Sequence, residues 1–254
     1  MIIIISIIFI QKDTKQIALG AAKIDILDVG QGLSILIRTT QHNLLYDTGM
    51  KFYRGSDMGK LVILPYIKTL NINRLHKVII SHPDLDHRGG LASIREQLFI
   101  DELIDNRTCH HYHSWQWDGV KFNFLAIKNN KFYDNNKSCV LKISTKNSSI
   151  LLPGDIEIAA EKYLLQHYSV RADVLLIPHH GSKTSSSANF IQQVRPKIAV
   201  ISAGLYNRYH FPHQQTLKTL QHYHVKILQT SQCGMISLNF SKKINISCFN
   251  GAIQ

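Results

Sequence analysis

Four side chains able to bind a metal ion, His82, Asp84, Asp86 and His87, fall within the stretch Ser81-His82-Pro83-Asp84-Leu85-Asp86-His87-Arg88-Gly89-Gly90. Imidazole and carboxylate without thiolate suit Zn²⁺, Mn²⁺ or Fe²⁺. In extended chain, residues two apart share a side, so His82 and Asp84 can face one ion. The adjacent Asp86 and His87 cannot share that side and suit a neighbouring ion. Pro83 stiffens the loop, and Gly89-Gly90 lets the chain turn sharply into a helix. A lone His-x-Asp is better read as a polar surface loop capping a helix. This packed run ending in a double glycine is read as a metal loop, and its chemistry as metal-assisted hydrolysis.

The remaining groups are more ambiguous taken singly. Asp155 follows a Pro-Gly turn and precedes a helical pattern, so it is either a helix N-cap or a strand-end carboxylate facing the histidine loop. His179 and His180 are adjacent and cannot easily share one ion. One should bind and the other support it, with His180 the choice for the ligand. Ser182, Thr184 and the serines to Ser187 either begin a helix or offer hydroxyl and N–H donors to phosphate. Asp28 and Asp47 end strands, where they turn the chain or hold histidine rings through a ring N–H. Asn207, Arg208, His210 and His213 lie in a loop ahead of a helix, with Arg208 a phosphate contact. No other nucleophile is indicated: Ser182 lacks a Gly-x-Ser-x-Gly setting, and no cysteine has an activating neighbour.

Elements must bring these groups together. Short β-branched runs read as strands over 24–29, 33–38, 43–46, 77–80, 120–126, 138–144, 149–152, 172–177, 197–202, 225–229, 235–240 and 244–248. Helical patterns cover 58–70, with Pro65 inside it, then 91–97, 156–168, 185–194 and 214–223. A strand-rich first half followed by alternation predicts two sheets with helices outside them. The chain of 254 residues is 44% hydrophobic and 18% charged, ordinary for a packed domain. Lys and Arg outnumber Asp and Glu by 29 to 17, a charge of +12 that would steer polyanions toward the protein. Met1 to Ile10 is almost wholly aliphatic but too short to span a bilayer, which takes about 20 helical residues. Residues 1–20 are therefore an apolar segment, either a first strand or the remnant of a membrane helix, and 21–254 one domain. The four cysteines show no Cys-x-x-Cys spacing. Cys139 and Cys248 are expected as buried free thiols, with a Cys109–Cys233 bridge the alternative pairing.

The His82 segment resembles the His-x-His-x-Asp-His signature of the metallo-β-lactamase superfamily, in a His-x-Asp-x-Asp-His-x-Gly-Gly variant similar to the hydrolase domain of ComEC-type DNA-uptake proteins. The likeness runs from about Lys23 to Phe240. It takes in Leu27-Asp28-Val29-Gly30-Gln31-Gly32, Tyr46-Asp47-Thr48-Gly49, Leu151 to Glu157 and Val174 to Ser182. It implies an α/β fold, an αββα sandwich of two mixed sheets flanked by helices, and one or two divalent ions, Zn²⁺ or Mn²⁺. The implied ligands are His82, Asp84, Asp86, His87, Asp155, His180 and His179, with Asp155 bridging and Asp86, Asp155 and His180 catalytic. Asp47, Ser182, Asn207, Arg208, His210 and His213 would orient ligands or touch substrate. Relatives often read Asn-Arg-Tyr-Gly-His-Pro where this chain has Asn207 to His213, leaving His210, His213 or neither as the last histidine. A further superfamily histidine has no counterpart, since His110, His111 and His113 lie in a different setting. With Asp84 at the usual second histidine, the first site is richer in oxygen. The implied activity is a DNA phosphodiesterase using a metal-activated hydroxide, linked to uptake in natural competence. Its partners would be DNA, single-stranded or the non-transported strand, and a membrane channel, with no nucleotide cofactor. It would be membrane-associated or a soluble part of a membrane-linked system. The alternatives are hydrolysis of another ester, such as a phosphorylcholine ester or thioester, and DNA binding with a vestigial metal site.

Overall fold

The computed structural model describes residues 16–251, so the apolar stretch Met1 to Ile10 lies outside the described residues. In chain order the elements are β1 (Ala22–Ile26), β2 (Ile35–Arg38), β3 (Asn43–Tyr46), α1 (Leu64–Thr69), β4 (Arg74–Leu75), β5 (Lys77–Ile80), α2 (Leu85–Arg88), α3 (Leu91–Gln97), β6 (Phe99–Ile100) and β7 (Leu103–Asp105). They continue as β8 (Ser114–Trp117), β9 (Val120–Phe124), β10 (Leu141–Ser144), β11 (Ser149–Leu152), α4 (Ile158–His167), β12 (Val174–Leu176), α5 (Ala188–Val194), β13 (Ile198–Ile201), α6 (Gln214–His222), β14 (Lys226–Gln229), α7 (Thr230–Cys233), β15 (Ile236–Phe240) and β16 (Ile244–Cys248).

Two seven-stranded sheets result, ordered β16-β15-β1-β2-β3-β5-β7 and β14-β13-β12-β11-β10-β9-β8. Side-chain alternation assigns their faces. Ile24, Ile26, Tyr46 and Ile79 of the first sheet meet Phe122, Leu141, Leu152, Leu176 and Val200 of the second in one buried layer. The alternate residues Leu36, Leu45, Val78 and Ile80 turn outward against Ile63, Leu64, Ile67 and Ile94. Leu151, Leu175 and Ala199 likewise pack against Ala160, Leu164, Phe190 and Leu220 from α4, α5 and α6. The layers are thus helix, sheet, sheet, helix, and both faces of each sheet are apolar. Each fully buried aliphatic side chain contributes about 1.5–3 kcal/mol. The buried Tyr46 phenol crosses between the sheets and donates to the carbonyl of Cys139 at 2.6 Å.

Strands β11, β12, β13 and β14 are parallel, with their crossovers made by α4, α5 and α6. In the first sheet β3, β5 and β7 are parallel. The Ser81 carbonyl just after β5 accepts from the Cys139 amide at 2.8 Å, which joins the carboxyl end of β5 to the same rim as the end of β11. Loops bearing polar residues can gather at that rim while the strands beneath stay apolar. The Thr145–Ser148 turn between β10 and β11 lies at the opposite rim.

Several expectations need correction. The cysteines pair as Cys109–Cys139 and Cys233–Cys248, so neither Cys139 nor Cys248 is a free thiol and Cys109 does not pair with Cys233. The cause is strand pairing: β15 lies antiparallel to β16 with Ile236 opposite Cys248, which returns Cys248 toward Cys233. Helix 58–70 divides into a wide turn over Gly59–Ile63 and then α1. Pro65 sits in the first turn of α1, where its missing N–H costs no intrahelical bond. Helix α5 begins at Ala188 rather than Ser185, capped by Ser187, whose hydroxyl accepts from the Phe190 amide at 3.3 Å. Among the described residues no helix is long and apolar enough to cross a membrane.

Candidate metal centre

The centre is built on strand ends. Directly after β3, Asp47 is buried, with a positive φ of 59°. Its carboxylate accepts from the Ser81 amide at 2.6 Å, the Ser81 hydroxyl at 2.7 Å and His87 Nδ1 at 2.8 Å. The Thr48 amide and hydroxyl both donate to the His87 carbonyl, at 2.6 and 2.9 Å. The end of β3 thereby grips the metal loop from two sides. Gly89 and Gly90 are required here, because a Cβ on either would run into the backbone of Met50 and Lys51 or of Thr48. Asp155 leaves β11 through the Gly154 turn, whose φ is +61°, and its amide donates to the Ser138 hydroxyl at 3.2 Å. It does not cap α4, whose N-cap is Glu157. His180 follows β12 in a left-handed conformation, φ 54°, and its Nδ1 donates to the Ser202 carbonyl at 2.8 Å.

These supports aim the Nε2 atoms of three buried histidines at one cavity. Asp155 Oδ2 lies 3.3 Å from His87 Nε2, 3.5 Å from His180 Nε2 and 3.8 Å from His82 Nε2. Asp86 Oδ2 lies 3.3 Å from His180 Nε2 and 3.9 Å from His87 Nε2. Two sets converge, His82-His87-Asp155 and Asp86-His87-His180, each with its ligand atoms within 4.8 Å of one another.

The donor set fits a divalent cation. With Nδ1 of His87 and His180 committed as donors, a neutral ring presents a bare lone pair at Nε2. Those two nitrogens are 3.2 Å apart, a contact that repels unless a positive charge lies between or beside them. His82 Nε2 is buried with no hydrogen-bond partner among the described residues, and such a buried polar atom demands one. Burial opposes the charged form of His87, yet Asp155 and Asp47 outweigh it and hold its pKa well above the ordinary imidazole value. Burial likewise opposes ionisation of Asp155, but His87 and His180 keep its carboxyl well below the usual range. Asp86, against the same opposition, is drawn down to about 2 by His180 and His87. The cavity selects positive charge, and a divalent ion meets the same requirement as protons on the rings.

Other expected residues take different places. Asp84 comes within 3.6 Å of His82 Nε2, but its side chain is 58% exposed and belongs to neither set. His179 stands at the cavity wall, with Nε2 4.0 Å from Asp155 and Nδ1 3.7 Å from Glu157, also outside both sets. Ser182 shapes its own turn: its hydroxyl accepts from the Thr184 amide. Asn207 braces its loop through Gly204 and Phe211. Arg208 is exposed and lies over the Tyr209 ring at 4.7 Å. His210 is exposed, and His213 Nδ1 accepts from the Lys183 amide at 3.1 Å. Neither of these histidines joins the sets; the loop instead sets Phe211 against the His180 ring at 6.2 Å and His179 at 5.7 Å. Asp28 is exposed and caps the Gly30 amide, so its expected role toward a histidine is withdrawn. Sequence reasoning missed Ser81, Ser138, Phe211 and the Ser202 carbonyl. Ser81 had a signal in its place beside His82, whereas a backbone carbonyl has none.

The fold is that of the metallo-β-lactamase superfamily, and the profile of that description matches residues 27–132. The chain is 38% identical over 237 residues to Recombination protein 2 of Haemophilus influenzae, an overlap of 89% of this chain and 30% of that protein. It is 32% identical over 243 residues to Competence protein ComA of Neisseria gonorrhoeae, 92% of this chain and 34% of that one. The chain thus spans about a third of the length of these curated relatives. The solved structure of Igni18, a metallo hydrolase from Ignicoccus hospitalis, shares the fold with a TM-score of 0.54 at 12% identity, covering 87% of this chain and 100% of that one.

Proposed function

We propose that this protein is a metal-dependent phosphodiesterase acting on DNA. The observation that carries the reading is the convergence of His87 and His180 Nε2, 3.2 Å apart, upon the carboxylate of Asp155, with both outer nitrogens already engaged. His82, His87 and Asp155 would hold one divalent ion. Because His87 has one free lone pair, a second ion would rely on Asp86, His180 and a shared Asp155. Zn²⁺ and Mn²⁺ both suit these nitrogens and oxygens. When bound, such ions supply Lewis acidity, which acidifies water and neutralises charge on a phosphoryl oxygen.

The chain's own groups do the positioning. Asp47 and the Ser202 carbonyl fix the planes of the His87 and His180 rings. Ser81 ties the strand end to Asp47 through its amide and hydroxyl. Phe211 stands beside the His180 ring as its apolar neighbour, 6.2 Å between centroids. DNA as the substrate is supported by the charge of +12 and by relatives named for recombination and competence. On the same grounds we infer that the protein works in a membrane-linked uptake system, beside a channel that passes DNA.

The test is to measure bound metal and then the cleavage of single- and double-stranded DNA and of bis-p-nitrophenyl phosphate with Mn²⁺ or Zn²⁺. Asp155→Asn and His87→Ala are expected to lose bound metal and at least about 100-fold in rate, the scale on which metal and electrostatic stabilisation act. Wild-type DNA cleavage by Asp155→Asn would refute the reading. Metal-loaded protein that hydrolyses only carboxyl esters or thioesters would move the substrate elsewhere.

A further inference from the structure

Beside the metal centre the surface opens into a cavity of about 340 Å³, whose lining includes Asn106, Arg107, His110, Lys128, Lys137 and Ser138. Among the described residues no carboxylate lines it. One end adjoins the centre directly, since the Ser138 hydroxyl accepts from the amide of Asp155 at 3.2 Å. Across Asn106 and Arg107 lies a second cavity of about 390 Å³, walled by Pro83 and Arg88 of the metal loop. The two share Asn106 and Arg107 and so form one trough, which borders the metal loop at Pro83 and Arg88. Its single acid, Asp105, is spent on Arg107, whose guanidinium it holds at 2.6 Å. Lys128 and Lys137 are exposed, as is Arg107, whose remaining guanidinium nitrogen is left to meet a ligand while Asp105 holds the other two. The convergence of positive charge is felt by His110, lowered first by burial and then by His111, Lys128 and Lys137.

We propose that this trough binds the sugar-phosphate backbone of a single DNA strand and feeds it across the metal centre, with Arg88, Arg107, Lys128 and Lys137 meeting successive phosphates. The inference rests on the phosphodiesterase reading and adds the path of the substrate. The walls mix apolar residues such as Ile127 and Leu91 with lysine, arginine and asparagine at the rim; those basic and amide groups suit phosphates and sugars, which are held without reading sequence. A compact apolar ligand would want a closed apolar pocket instead. Each phosphate neutralised on a single strand steepens the salt dependence of log K by about 0.7.

Binding of a fluorescent dT20 oligonucleotide to metal-free protein, followed by anisotropy over a salt series, tests this. The double variant Lys128→Glu, Lys137→Glu and the single Arg107→Glu should each bind at least about 10-fold more weakly, and the double variant should flatten the salt slope by about 1.4. The ratio of dT20 cleavage to bis-p-nitrophenyl phosphate hydrolysis should fall in step, because the small diester has no backbone to lie in the trough. A Lys218→Glu, Lys226→Glu control alters exposed lysines on α6 and β14, at the opposite edge of the second sheet, with the same change of charge. Equal loss in that control would mean net charge alone and would overturn the trough. So would wild-type dT20 affinity in the groove variants. Absence of small-diester hydrolysis by wild-type protein would instead count against the phosphodiesterase reading, while the binding series still judged the trough.

Discussion

Asp47 shows how much a single carboxylate can settle. Its oxygens take the Ser81 amide, the Ser81 hydroxyl and His87 Nδ1, leaving that ring one orientation. Replacing Asp47 by Asn keeps the shape but removes the anion behind the ring, and such supporting groups are worth about 10–100-fold in metal affinity. A chelator competition on Asp47→Asn should show that loss. Unchanged affinity would reduce Asp47 to a strand-end turn residue. Its place was legible because Tyr46-Asp47-Thr48-Gly49 ends a strand with a turn signal. The fate of Asp28 was not, though it too ends a strand-like run: which of two strand-end aspartates meets a histidine depends on the neighbouring strand, and only β5 beside β3 decides it.

At the level of elements, the start of α5 illustrates what local sequence hides. Ser185, Ser186 and Ser187 all look like caps, yet the buried carboxylate of Glu161, on α4, accepts the amides of Ser186 and Ser187 and fixes the helix start one turn later. Burial raises the Glu161 pKa above its ordinary value, only partly offset by hydrogen bonds from Ser187 and Ser186. The folded protein therefore holds this proton more tightly than the unfolded chain. Its contribution to stability is present at low pH and lost as pH rises through the folded pKa. Comparing the Tm of wild type and Glu161→Gln across pH 4 to 8 should show the wild type losing ground to the variant as pH rises. Parallel curves would exclude Glu161 as the source. The long helices and the buried parallel strands were legible from periodicity, whereas β8 was not, because Trp115 and Trp117 sit half-exposed at a sheet edge and give no apolar run.

Across the whole molecule, two covalent links supplement the three apolar layers. Cys109–Cys139 joins the segment that walls the basic trough to the strand beside Ser138, across a separation of 30 residues. Closing a loop of that size stabilises a fold by about 3.6 kcal/mol. A Cys109→Ser, Cys139→Ser variant should accordingly melt several degrees lower, and wild-type protein denatured without reductant should show no free thiol. Recovery of four thiols per chain would contradict the pairing. The sandwich was legible because a strand-rich first half gives way to alternating strands and helices; the cysteine pairing was not, because it follows from register rather than spacing.

The Thr145–Ser148 turn has a practical consequence. It closes β10 and β11 at the rim away from the centre, and Lys146 and Asn147 at its tip are exposed. A peptide tag or biotin acceptor inserted between them would anchor the protein to a bead or chip with the candidate metal centre toward solvent. A single DNA molecule held in an optical trap could then be presented to that centre, and any binding or cleavage scored one protein molecule at a time.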